Sequence, residues 1–293
     1  MLRWVVPVCL CLSGAAFAQE TTPGPRLVQE EVRIPAAGGS YSIAATILRP
    51  EGEGPFGAVI LNHGTPGSAS GRARESSELL LNPAAEFARR GYAVVMPLRR
   101  GFGATGGEFA EDPGSCANPD YHKGEQAAAD DVMAAYDYAR ALPYVDGRRM
   151  ILAGQSAGGM VSMVTAGTRS PQGLVAVLSF AAGRGGNPDF RPGVPCAIEP
   201  VAQLLESVGK SVKVPVLLHY AENDLYFNAH TSRLWYERFA AAGGRAEYVL
   251  QPAFGRDGHY IFSETLGVRY WLPAVERFLG RHGIPFERVD ADE

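Results

Sequence analysis

The segment Gly154-Gln155-Ser156-Ala157-Gly158 sets a hydroxyl between residues with little side-chain bulk. It follows the apolar run Met150-Ile151-Leu152-Ala153, which reads as a strand, and it precedes a helical stretch from Gly158 to Gly167. A G-x-S-x-G segment in a strand–turn–helix setting lifts its serine above a sheet, at a helix N-terminus, where the hydroxyl can act as a nucleophile. The competing reading of Ser156 is an N-capping residue at a glycine-rich helix start. A serine hydroxyl attacks poorly until a base takes its proton, and that base needs an acid to fix its tautomer. The chain holds six histidines, of which only His259 and His282 follow the last predicted strand, Ala246–Leu250. His259 stands in the loop after that strand, behind Asp257-Gly258, and is the candidate base. His282 lies past the final predicted helix in a glycine-flanked tail. His63 reads as a turn residue, His219 as packing inside a strand and His230 as a surface residue near a helix start. Two acids, Glu222 and Asp224, share the loop after the predicted strand Val214–Tyr220, between the serine and the histidine in chain order.

The elements that must position these residues alternate in type. Predicted strands are Glu31–Ile34, Tyr41–Leu48, Ala58–Leu61, Tyr92–Met96, Met150–Ala153, Leu174–Phe180, Val214–Tyr220 and Ala246–Leu250. The first two read as an antiparallel hairpin, and the others are read as joined by helices. Predicted helices cover Glu75–Arg90, Gly124–Ala141, Gly158–Gly167, Ser232–Ala242 and Leu266–Leu279, with one more in the segment Ala181–Lys213. Such alternation predicts a mostly parallel sheet of about eight strands with helices on both faces. Chemistry in such sheets gathers at the carboxyl ends of the strands. The Ala181–Lys213 segment is short and glycine- and proline-bearing, so it predicts a rim rather than a cap domain.

Length and composition limit the alternatives. The 293 residues are 46% hydrophobic, enough for one large core, so residues 19–293 are expected to form a single domain. The net charge of −4 comes without any Lys/Arg cluster, which argues against a nucleic-acid partner. Gly101-Phe102-Gly103-Ala104-Thr105-Gly106 matches a dinucleotide-binding pattern, but Asp112-Pro113-Gly114 brings a turn where that site needs a helix, so no cofactor is expected. Arg99 and Arg100 read as ties between this loop and nearby carboxylates, with carboxylate recognition as the other reading of Arg100. The histidines and cysteines lack metal-ligand spacing.

Five segments carry a family resemblance: Asn62-His63-Gly64-Thr65-Pro66-Gly67, Arg100-Gly101-Phe102-Gly103, Gly154-Gln155-Ser156-Ala157-Gly158, Ala221-Glu222-Asn223-Asp224 and Asp257-Gly258-His259. On these the sequence resembles the α/β-hydrolase family, nearest its dienelactone-hydrolase-like and prolyl-oligopeptidase-like branches, from about Ser42 to Leu279. The resemblance implies the α/β-hydrolase fold, with Ser156 as nucleophile, His259 as general base and Asp224 as orienting acid. Asp224-Leu225-Tyr226-Phe227 resembles the family's acid loop, which sets Asp224 ahead of Glu222. It also implies an oxyanion hole from the N–H groups of Ala157 and, by the family's H-G-x-P pattern, Thr65, since Pro66 has no N–H to give. Dienelactone hydrolases are known for a cysteine nucleophile, and here the position holds serine. The activity implied is hydrolysis of small carboxylic esters or lactones through an acyl-enzyme. An exported peptidase and a non-catalytic binding relative are the other readings. A preceding propeller domain, usual in prolyl-oligopeptidase-like enzymes, is not expected.

The N-terminus has Arg3, an apolar run Val5–Leu12 and the small-residue site Ala16-Phe17-Ala18. This predicts a cleaved signal peptide over 1–18, and hence export with no membrane association afterwards. Of the four cysteines, Cys116 and Cys196 lie outside it. Both fall in long loops leaving carboxyl ends of strands. An even pair in an exported chain predicts a Cys116–Cys196 disulfide stapling the rim of the site.

Overall fold

In the computed structural model, which describes residues 24–289, the continuous apolar runs form the middle of an eight-stranded sheet. The predicted signal peptide lies outside the described residues. The strands are β1 (Leu27–Pro35), β2 (Ser42–Pro50), β3 (Phe56–Asn62), β4 (Tyr92–Pro97), β5 (Val145–Gln155), β6 (Leu174–Phe180), β7 (Val216–Ala221) and β8 (Ala246–Gln251). Their spatial order is β1-β2-β4-β3-β5-β6-β7-β8. β1 and β2 pair antiparallel, β2 runs antiparallel to β4, and β3 to β8 are parallel. The link from β2 to β3 is a turn and not a helix, contrary to the helix-joined expectation. β2 already runs opposite to β3, so no crossover is required to bring the chain back.

The helices are α1 (Ala69–Ala73), α2 (Leu81–Ala88), α3 (Tyr121–Arg140), α4 (Ala157–Arg169), α5 (Ile198–Ser211), α6 (Ala229–Ala241) and α7 (Val268–Arg281). Alternate residues of each central strand face opposite layers, as the pleat requires. Ala58 and Ile60 of β3 and Met150 and Leu152 of β5 join a core with α3, α4, α5 and α6. Val59, Leu61, Ile151 and Ala153 join a second core with Phe87 of α2 and Trp271, Val275 and Phe278 of α7. The predicted helix over Glu75–Arg90 is instead a 3₁₀ turn at Ser77–Leu80 followed by α2. Pro83 explains the shift, because a residue without an N–H fits only the first turn of a helix. The short α1 was not predicted, and it buries no residue.

Parallel registry brings the strand ends to one edge. Asn62 pairs with Gly154, Gln155 with Phe180, Phe180 with His219 and Ala221 with Gln251. The loops that follow β3, β5, β7 and β8 therefore leave the sheet side by side. Between β3 and α4 the approach is closer than any side chain allows. A Cβ on Gly158 would fall inside the contact radius of the Asn62 and His63 carbonyls, and one on Gly154 would lie 2.8 Å from the Asn62 oxygen.

Gly158→Ala should therefore force β3 and α4 apart and cost about 3 kcal/mol or more by overpacking. Denaturant unfolding of the purified variant would measure it, and a loss below about 0.5 kcal/mol would contradict this account of the junction.

Candidate active site

Ser156 is the single residue between β5 and α4, with φ 59 and ψ −124. This is the region of the first central residue of a type II′ turn, where glycine is the ordinary occupant. Ser156 N–H donates to the Phe180 carbonyl at 2.9 Å. Its own carbonyl accepts from Met160 N–H at 3.1 Å and Gly183 N–H at 3.4 Å. Gly64 approaches from the β3 loop, where a Cβ would lie 3.3 Å from the Ser156 Cβ. The serine side chain is thereby turned away from the sheet and into a cavity.

His259 and Asp224 form a buried pair. Imidazole Nδ1–H donates to the Asp224 carboxylate at 3.0 Å and 3.1 Å to its two oxygens. Asp224 Oδ1 also accepts from the N–H groups of Tyr226 at 2.8 Å and Phe227 at 2.9 Å, which fixes the carboxylate to its own loop. The two loops are clasped together. Asp257 Oδ1 accepts from Leu225 N–H and His259 N–H, each at 2.9 Å, and Asn223 Oδ1 accepts from Phe254 N–H at 2.8 Å. Tyr226 stacks on the imidazole with ring centroids 4.0 Å apart. Gln155, adjacent to the serine, donates from Nε2 to the His259 carbonyl at 2.6 Å. Glu222, the rival acid, is exposed, whereas Asp224 is buried.

Ser156, Ala157, Thr65 and Tyr226 line one cavity of 420 Å³. Ala157 is the first residue of α4, so its N–H has no acceptor within the helix and is free to meet a developing negative charge. Thr65 belongs to the irregular loop after β3. Behind that loop lies a cluster of four buried charges, Arg99, Glu111, Glu125 and Arg184, of which the sequence pointed only to Arg99. Arg99 pairs with Glu111, and Arg184 pairs with Glu125 and, at 2.9 Å, with Glu111. Burial alone would raise Glu111, but the Arg99 and Arg184 guanidiniums outweigh it and hold the carboxyl at about 2. Burial raises Glu125 despite Arg184. Glu125 carried a signal that could have been read, since it shares a helix face with the apolar residues Ala128, Ala129 and Val132.

The other polar residues singled out in the sequence are engaged elsewhere. His63 is buried and pushed down to about 3 by burial and by Arg99, so it is neutral. Its Nδ1–H donates to the Gly64 carbonyl at 2.6 Å and its Nε2 accepts from Arg99 N–H at 3.2 Å. His219 is fully buried, His230 is exposed, and His282 caps α7 at 3.7 Å from Glu247. Arg100 lies over the Tyr41 ring and does not line the cavity. The loop at Gly103–Thr105 makes a 3₁₀ turn and opens no helix. Cys116 and Cys196 are joined by a disulfide at the cavity wall, with Cα atoms 5.8 Å apart.

Three solved structures share this architecture. An esterase from Pyrococcus furiosus aligns with a TM-score of 0.64 at 15% identity, over 87% of this chain and 91% of that one. A Klebsiella pneumoniae protein provisionally designated a dienelactone hydrolase aligns with a TM-score of 0.57 at 18% identity, over 88% of this chain and 99% of that one. The chain has the α/β-hydrolase fold. The acylaminoacyl peptidase of Pyrococcus horikoshii has it too, with a TM-score of 0.58 at 15% identity, but 91% of this chain spans only 43% of that one. The model of the prolyl oligopeptidase family matches residues 82–180, from α2 of the hydrolase fold to the end of β6. A search of curated proteins finds no match.

Two outcomes follow from the backbone and the bridge. Ser156→Gly should unfold about 2–4 °C above Ser156→Ala, because glycine relieves the positive φ and alanine keeps it; equal melting temperatures would mean the turn is unstrained. Reducing the bridge, which closes a separation of 80 residues, should lower stability by about 4 kcal/mol. Thiol titration of the denatured, unreduced protein should find neither Cys116 nor Cys196 free, and two titratable thiols would refute the bridge.

Proposed function

We propose that the protein is a serine hydrolase of small carboxylic esters, working through an acyl-enzyme on Ser156. The observation that carries this reading is the buried Asp224–His259 pair, tied to the strained Ser156 turn through the Gln155 bond to the His259 carbonyl and to the serine's cavity through Tyr226, which lines it and stacks on the imidazole. His259 Nε2 takes the Ser156 proton as Oγ attacks the ester carbonyl, while Asp224 holds Nδ1–H and so fixes which nitrogen is free. The negative charge that develops on the carbonyl oxygen is met by the N–H groups of Ala157 and Thr65. His259 then returns the proton to the departing alcohol. Water, activated by the same imidazole, attacks the acyl-enzyme and releases the acid.

The esterase neighbours support an ester as substrate, and the cavity volume supports a small one. The prolyl oligopeptidase family match is the observation that favours a peptidase as the second reading. We further infer export and a single catalytic domain over 19–293. The bridge accords with an oxidising compartment, and among the described residues no helix is long and apolar enough to cross a membrane.

Hydrolysis of p-nitrophenyl esters of increasing chain length, beside a peptide p-nitroanilide panel, tests the substrate class. Short acyl chains should be cleaved fastest and the peptides poorly; the reverse order would favour the peptidase. Ser156→Ala and His259→Ala should each lose on the order of 10³-fold or more in kcat. Asp224→Asn should lower kcat strongly with little change in KM, whereas Glu222→Gln should keep both. A folded Ser156→Ala variant with near wild-type turnover would end the proposal.

A further inference from the structure

The loop that carries Thr65 has no regular structure, and among the described residues no backbone–backbone hydrogen bond holds residues 64–67. Side chains hold it instead. Arg184 Nη1 donates to Thr65 Oγ1 at 3.1 Å, and that hydroxyl donates to Glu111 Oε2 at 3.3 Å. Arg184 Nη2 donates to the same Glu111 oxygen at 2.9 Å, which closes a triangle around the threonine. Two residues earlier in the loop, Arg99 Nη1 donates to the His63 carbonyl at 3.0 Å while the same guanidinium pairs with Glu111. The loop is thus gripped on both sides of Gly64 by one set of charges.

These charges are poorly explained as a device for stability. Desolvating ion pairs is costly, and apolar replacements of similar volume are often neutral or stabilising. What four fixed charges do supply is geometry, because each guanidinium fork donates to its partners in one plane. Arg184 is itself pinned to the cavity wall. The carbonyl of its neighbour Gly185 accepts from Cys196 N–H at 2.9 Å, beside the disulfide.

We propose that Arg184 is a positioning residue for oxyanion stabilisation, fixing the Thr65 peptide N–H through Glu111 and the Thr65 hydroxyl. The proposal rests on the serine-hydrolase reading above. Arg184 touches no reacting atom in this scheme; it sets the direction of a donor that does. Displacing such a donor by about 1 Å can cost up to about 10²-fold in rate, because the interaction matters only as charge develops.

The test compares Thr65→Val, Thr65→Ser and Arg184→Lys on p-nitrophenyl acetate, with phenylboronic acid as a tetrahedral adduct that fills the oxyanion position. Thr65→Val keeps the size and the charged cluster and removes only the hydroxyl. Its kcat should fall about 10–100-fold with KM within about threefold, and phenylboronic acid should bind more weakly by a similar factor. Thr65→Ser, which keeps the hydroxyl, should lie between the two and nearer wild type. Arg184→Lys, which loses the fork, should repeat the Thr65→Val pattern; if it does not fold, the threonine pair decides. A Thr65→Val enzyme with kcat within threefold of wild type, or with loss in KM alone, or with unchanged boronate affinity, would overturn the proposal. Ser156→Ala separates the two levels. If it is inactive while Thr65→Val is normal, only the positioning inference fails; if it is active, the serine-hydrolase reading fails first.

Discussion

The backbone of Ser156 is held at φ 59 and ψ −124, a conformation that costs a residue with a Cβ about 1–3 kcal/mol and persists only where the surroundings over-determine it. Those surroundings can be counted. The end of β6 accepts its N–H, α4 and Gly183 take its carbonyl, and Gly64 closes on its Cβ. Three backbone segments meet there at distances that only glycine permits, which is why Gly154 and Gly158 flank the turn. The strain faces the site rather than the core: the hydroxyl is lifted off the sheet and the first peptide N–H of α4 is left without an acceptor beside it.

Around this turn the polar groups divide into two kinds. His259 and Asp224 form a pair whose hydrogen bonds leave one imidazole nitrogen free, and the clasp through Asn223 and Asp257 holds their two loops in register. His63, Arg99, Glu111, Glu125 and Arg184 spend their hydrogen bonds on one another and on the loop after β3. Burial gives the second group its direction. His63 is driven neutral, Glu111 stays ionised between two guanidiniums, and Glu125, with one carboxylate oxygen lacking a partner, is pushed upward. A buried charge is tolerated where it is paired, and the pairing here lies directly behind the cavity wall.

Much of this was legible in the sequence, for identifiable reasons. Strands buried on both faces leave continuous apolar runs such as Ala58–Leu61 and Met150–Ala153, and all eight were found within a few residues of their observed ends. Ser156 and His259 stand out because chain order and the ends of predicted strands constrain them, while Asp224 is set ahead of Glu222 only by the resemblance of its loop to the family's acid loop. The missing parts are those that only three dimensions bring together. Glu111 sits in a loop, Glu125 on a helix and Arg184 in the rim, and no spacing links residues so far apart in sequence. The stretch at 75–90 departs from one helix because its helical periodicity runs on through the 3₁₀ turn at Ser77–Leu80, while Pro83 fits only the first turn of a helix that starts at Leu81.

The close meeting of β3, the serine turn and α4 has a consequence for how this molecule can diversify. Residues 62–64 and 154–158 share backbone contacts, so a change in one segment has to be matched in the other two, and single substitutions there meet a steep barrier. The rim is different. Pro66, Arg72, Phe109, Asp112, Pro113 and Pro119 line the cavity from the segments after β3 and β4, and the bridge joins Cys116 to Cys196 across its wall. At exposed rim positions such as Asp112 and Ser115 variation can accumulate one residue at a time, whereas Glu111 beside them belongs to the buried charge cluster. New specificity in descendants of this sequence, natural or laboratory-bred, is therefore expected to enter through the rim, with the junction beneath it inherited unchanged.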